Sequence, residues 1–128
     1  MPLKKIKIFS KSIEVLAELL EEKNPKTVEA IWSSLPFKAR ANRWGDEIYF
    51  SIPVKIKEEN AQQIVEGGDI GYWPSGNAFC IFFGLTPVSS GNEIRAASPV
   101  NVFGKILEDP NVLKKVKQGE KIKIEKAD

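Results

Sequence analysis

Trp44, Glu47 and Tyr49 stand close together in a run whose apolar members alternate, with Ile48, Phe50 and Ile52 set against Glu47, Tyr49 and Ser51. Pleating sends successive side chains to opposite faces of a strand. With the apolar set inside, Glu47 and Tyr49 face outward. The same rule sends either Tyr72 or Trp73 outward, and the adjacent pair Phe82 and Phe83 presents the same choice. Aromatic rings gathered with a carboxylate suit a peptide, a proline ring or a small cation, because the rings offer apolar area and an electron-rich face. A structural reading competes. Trp44, Tyr72 and Trp73 would then roof a barrel end or cover an apolar strand, and Glu47 would pair with a surface lysine.

Other chemistries are poorly supplied. The sequence has no histidine, which removes the commonest general base and the commonest zinc ligand together. Its one cysteine, Cys80, lies among Phe79, Ile81 and Phe82, so an inert buried thiol is expected and no disulfide framework exists. Glu58 and Glu59 read as a solvated first helical turn and are a poor all-oxygen metal site. Asp69, after two glycines, reads as a turn residue. Neither Asn24-Pro25-Lys26-Thr27 nor Gly67-Gly68-Asp69 has the glycine pattern of a phosphate loop. No metal and no cofactor are expected.

The formal net charge is +2, and lysines sit beside glutamates along most of the chain. That describes a mixed, solvated surface rather than a nucleic-acid footprint. No apolar stretch is long enough to cross a bilayer, and the start lacks a signal-peptide core. The expectation is a cytoplasmic protein with neither nucleic-acid nor membrane partner. Lysine and glutamate outnumber arginine and aspartate, a bias of hyperthermophile proteins.

The length of 128 residues fits one domain, 1–128, with one core. Ile6 and Ile8 alternate with lysines near the start, as do Ile122 and Ile124 near the end, and these two strands can close one sheet. Asn24, able to cap, and Pro25 open a helix carrying Val28, Ile31, Trp32 and Leu35, and Pro36 stops it. A second short helix follows Asp109-Pro110, with Val112, Leu113 and Val116 inward and Gly119 after it. Ile70 to Trp73 and Ala78 to Phe83 have hairpin lengths around Pro74-Ser75-Gly76-Asn77, and Thr86 to Asn92 reads as an exposed loop. From Ser12 to Leu20 both periodicities fit, and propensity favours helix.

The run from Ile13 to Ala30, with an acidic-leucine pair, a turn and then Pro25-Lys26-Thr27-Val28-Glu29, resembles the opening of the cyclophilins. Val102-Phe103-Gly104-Lys105-Ile106, followed by Val112-Leu113-Lys114-Lys115-Val116, is similar to the cyclophilin strand and helix near the other end. Trp44-Gly45-Asp46-Glu47-Ile48-Tyr49-Phe50 and Gly68-Asp69-Ile70-Gly71-Tyr72-Trp73-Pro74 look like signatures of the small prokaryotic cyclophilin-like proteins. The resemblance spans nearly the whole chain. It implies a mainly β fold, a closed or nearly closed eight-stranded barrel with two short helices, and it turns the Ser12–Leu20 segment into a strand.

In cyclophilins an outer-face arginine aims a donor at the prolyl nitrogen, with phenylalanine, glutamine, tryptophan and histidine around it. The resemblance therefore makes Arg40 and Arg43 the catalytic candidates and Phe82 or Phe83 the pocket phenylalanine. Residues 96–101 contain neither the tryptophan nor the histidine. The implied function is a module binding a peptide or small ligand through Trp44, Glu47, Tyr49, Tyr72, Trp73, Phe82 and Phe83. The alternatives are a weak peptidyl-prolyl isomerase and a homo-oligomer interaction module, the chain being a monomer or weak homodimer.

Overall fold

The fold is that of a computed structural model, which describes residues 4–127. Residues 1–3 and 128 lie outside it, so the expectation about the start of the chain falls partly outside the described residues. The strands are β1 (Lys5–Phe9), β2 (Glu14–Leu19), β3 (Phe37–Arg40), β4 (Asn42–Arg43), β5 (Glu47–Ser51), β6 (Gln62–Val65), β7 (Asp69–Trp73), β8 (Ala78–Phe82), β9 (Ile94–Ile106) and β10 (Lys121–Ala127). One helix, α1 (Pro25–Ser34), separates β2 from β3.

The sheet runs β3-β10-β1-β2-β9-β7-β8-β5-β4, with β6 added to β9. Its two ends, β3 and β4, are consecutive in the chain and separated only by Ala41. The segment thus pairs with β10 on one side of the seam and with β5 on the other. With β3 and β4 taken as one interrupted strand and β6 set aside, the ten-stranded sheet becomes a nearly closed barrel of eight staves. The lysine–isoleucine alternation places β1 against β10, Ile8 opposite Ile124, and buries all four isoleucines.

β2 settles the ambiguous segment as strand. Val15, Ala17 and Leu19 all face the core, and β2 pairs with both β1 and β9. Pairing on both flanks and burial of one face outweigh the helix propensity of its alanine, leucines and glutamates. Inside the barrel Phe50 stacks on Phe79 at 5.2 Å between ring centroids, and Phe103 meets Phe79 edge-on at 5.4 Å. α1 adds Val28 and Ile31 to this interior. Leu35 is extended ahead of Pro36, as sterics before a proline require. The second short helix is a 3₁₀ helix, Pro110–Lys115, whose start is capped by the Asp109 carboxylate accepting from the Asn111 amide at 3.0 Å.

Two local expectations are corrected. Asn24 does not cap α1: its amide group donates to the Val102 carbonyl at 2.7 Å and its side-chain oxygen accepts from the Asn60 amide at 2.8 Å. Nor do Glu58 and Glu59 begin a helix, because no regular element covers residues 52–61. Glu59 instead caps α1 from a distance, accepting from the Lys26 amide at 3.0 Å and the Thr27 amide at 3.1 Å. Burial pushes the Glu59 carboxyl upward, but these donors and the Thr27 hydroxyl leave it below its ordinary range. Asn101, fully buried, ties the same segment down through the Glu59 amide and the Lys57 carbonyl.

A second apolar cluster amends the one-core expectation. Val65, Ala78, Cys80, Phe82, Ala96, Val100 and Val102 pack together apart from the interior. All but Val65 are outward-facing members of β7's neighbours β8 and β9, and Val65 comes from β6, which pairs along β9 and covers them in part. The barrel therefore carries a covered patch on its outer wall.

Candidate functional site

Beside that patch lies a cavity of about 270 Å³, bordered by Trp44, Glu47, Tyr49, Trp73, Cys80, Ala96, Ala97, Ser98 and Val100. Glu47, Cys80, Ala96 and Val100 are buried and form its floor, while Trp44, Tyr49, Trp73 and Ser98 are half-buried and form its walls. Register explains the convergence. Tyr49 lies opposite Cys80 across β5 and β8, Glu47 lies opposite Phe82, and Trp73 lies opposite Ala78. All stand on the face away from Ile48, Phe50 and Tyr72. The Trp73 indole donates to the Ser98 hydroxyl, which fixes that wall to β9.

Gly71 keeps the floor low. It faces outward between Cys80 and Val102, and a Cβ there would come within 2.9 Å of a Val100 methyl. Val100 can sit against the backbone only because β7 has no side chain at this point.

Glu47 is the unusual group. It is 5% exposed, and among the described residues it has no salt-bridge partner. Burial pushes its carboxyl up to about 7, against a smaller opposing effect of the Cys80 thiol. The expected surface ion pair with a lysine is therefore corrected, since pleating carries Glu47 into the cavity floor instead. Burial drives the Cys80 thiol far above its usual range, and the neighbouring carboxylate adds to this. Burial thus favours the neutral form of both groups.

The other candidates divide. Of the pair in β7, Trp73 faces the cavity and Tyr72 faces the interior, fully buried, its hydroxyl donating to the Val54 carbonyl and accepting from the Ile56 amide. Phe82 points outward but is fully buried in the outer cluster, and Phe83 belongs to the interior. Tyr72, Phe82 and Phe83 thus line no part of the cavity, each for a reason of alternation or cover.

Arg43 stacks over Phe83 at 5.1 Å, yet its nitrogens are engaged elsewhere. They donate to the carbonyls of Gly45 at 3.2 Å, Lys114 at 3.2 Å and Val116 at 2.8 Å, and reach Asp46 at 3.4 Å. Arg43 therefore clamps the turn that presents Trp44 to the 3₁₀ helix. Gly45 sits in that turn at φ 62, where a Cβ would meet the Leu85 carbonyl at 2.9 Å. Arg40 is exposed, donates to the Gly119 carbonyl at 3.1 Å, and borders a different cleft with Lys38, Lys121 and Lys123.

Sequence reasoning did not select Ala96, Ala97, Ser98 and Val100. Their signal was weak, because β9 shifts register against both β6 and β7, which hides its alternation. Asp69 behaves as a turn residue, accepting from the Glu66 amide at 2.9 Å. Among the described residues no group of three metal-ligating side chains converges, and no helix is long and apolar enough to cross a membrane.

A family model described as "Cyclophilin-like" matches residues 4–125. The chain is also similar to the solution structure of a hypothetical protein from Archaeoglobus fulgidus, with 48% sequence identity and a TM-score of 0.83. The match covers 98% of this chain and 95% of that one. No curated protein matches.

Proposed function

The chain belongs to the cyclophilin-like family, and from that premise we propose that it binds a peptide side chain or small ligand, non-covalently, in the cavity walled by Trp44, Tyr49 and Trp73. One observation carries this reading: a buried carboxylate, Glu47, left without a protein cation at the floor of an aromatic cavity. Holding a carboxylate in such a place costs stability, and natural sequences concentrate such costs at functional sites. The volume lies at the small end of ligand pockets, which run from about 300 Å³ upward. It suits one side chain or a compact molecule.

Prolyl isomerisation is the weaker reading. A barrier of roughly 18–20 kcal/mol set by amide resonance needs a donor aimed at the prolyl nitrogen. Neither Arg40 nor Arg43 borders the cavity, and losing a preorganised donor typically costs about 10²–10³ in rate. Amide and indole NMR spectra, titrated with short proline-containing and amine-containing peptides, test the proposal. Shifts of the Trp44 and Trp73 indole signals are expected, with no acceleration in a protease-coupled isomerisation assay. Acceleration that Arg43→Ala abolishes would replace the binding reading with the isomerase.

A further inference from the structure

Resting on that reading, we infer that the ligand is an alkylated ammonium, a positively charged nitrogen wrapped in methyl or methylene groups. Glu47 supplies the first reason. Its carboxyl opens on a cavity that no lysine or arginine borders, so a countercharge for its ionised form can come only from a ligand. A neutral proline ring would leave Glu47 protonated and make no use of its charge. A cation would complete the pair beside a buried carboxylate among apolar side chains, where the attraction is stronger than in bulk water.

The walls supply the second reason. Two indoles and a phenol border the cavity, and indole has the most favourable face for a cation. The third reason is what the cavity lacks. A bare ammonium has three N–H donors to satisfy, while beyond Glu47 and the Tyr49 hydroxyl the lining is largely Cys80, Ala96, Ala97 and Val100, and the Ser98 hydroxyl already accepts from Trp73. Alkyl groups on nitrogen remove donors and fit those apolar surfaces. The cavity matches an alkylated cation better than a lysine-like one.

The proton on Glu47 adds a signature of its own. With the carboxyl poised at about 7, a cation selects the ionised form, so binding must release a proton below that pH. The titratable groups facing Glu47 are the Cys80 thiol from β8 and the Tyr49 phenol from its own strand, and no other charged side chain borders the cavity. Cys80, held neutral, does not compete for the cation.

The test is calorimetric titration of the intact protein with choline, tetramethylammonium and 3,3-dimethylbutan-1-ol, the uncharged carbon analogue of choline. We expect choline to bind at least about tenfold tighter than the alcohol. Wild-type affinity for choline should fall about tenfold from pH 8 to pH 6, while that for the alcohol stays flat. Glu47→Gln should reduce the preference for choline and remove its pH dependence, and the wild-type pH series decides the matter if that variant does not fold. A short peptide carrying trimethyl-lysine distinguishes the source: tighter binding than tetramethylammonium assigns the cation to a peptide, and equal binding to a free molecule. Equal affinity for choline and the alcohol overturns the cation inference but leaves the binding cavity standing. Failure of every probe, including the proline-containing peptides, overturns both.

Discussion

Glu47 and Cys80 lie on the diagonal between β5 and β8, and their influence on each other is unequal. Burial raises both groups, but the thiol eases ionisation of the carboxyl while the carboxylate further opposes ionisation of the thiol. Cys80, 1% exposed, is therefore an unreactive sulfur beside an adaptable acid. Iodoacetamide at pH 8.5 should leave it unmodified in the folded protein and alkylate it in guanidinium chloride. Native-state modification at the rate of a free thiol would mean that the cavity floor opens.

The raised Glu47 carboxyl has a stability consequence whose sign is opposite to that of a salt-bridged acid. Its folded value of about 7 exceeds the ordinary 4.5, so the folded state holds the proton more tightly than the unfolded chain. The penalty is absent below about pH 4.5, grows as pH rises, and is complete above about pH 7. Glu47→Gln should match the wild type at pH 4 and exceed it at pH 8 by about 1–3 kcal/mol in urea denaturation. A variant less stable at pH 8 would show that the carboxylate has a favourable partner.

Glu59 should behave in the reverse sense. Despite the upward push of burial, the donors at the start of α1 leave its carboxyl lowered, so its contribution is present at neutral pH and fades as pH falls through that lowered value. Glu59→Gln is expected to cost about 1 kcal/mol at pH 7, the usual worth of a helix cap, and almost nothing in strong acid. Thermal melts across pH measure both ends.

Arg43 is predicted to matter through the turn it clamps. Arg43→Ala removes three carbonyl contacts, the Asp46 contact and the stack on Phe83. About 2–3 kcal/mol should be lost in urea denaturation. Arg43→Lys should recover only part of this, because an ammonium cannot span the same carbonyls as a planar guanidinium. An alanine variant as stable as wild type would remove the clamp from the account.

Gly71→Ala asks the floor to move. The added Cβ would sit 2.9 Å from a Val100 methyl and 3.1 Å from the Val100 Cβ. Overpacking of this kind costs about 1–3 kcal/mol. NMR shifts at Trp73 and Ser98 should accompany the loss, and unchanged spectra there would separate the floor from the walls.

Much of the site was legible because strand alternation is a local rule. Ile48 and Phe50, with Ile52 just beyond the strand, fixed the inner face of β5, and Glu47 and Tyr49 followed. The same rule said that one of Tyr72 and Trp73 points outward without saying which, since both suit a strand. Two register shifts along β9 hid Ala96, Ser98 and Val100, which reach the cavity only through pairing distant in sequence. Capping failed as a local guide for the same reason. Asn24 looked like a cap, but a buried carbonyl of Val102 claimed its side chain, and a glutamate thirty-odd residues away took its place.

The seam at Ala41 also bears on how the barrel meets other copies of itself. A sheet that ends in two free rows of amides and carbonyls is a template for intermolecular strand addition. Here the two terminal rows belong to one continuous stretch, Phe37 to Arg43, which spends part of its length on β10 and part on β5. The outer strand β6 is four residues long and breaks register between Gln62 and Ile64. Short and bulged, it too offers a poor template for strand addition, so neither the seam nor the outer strand presents a long, regular edge to a second copy.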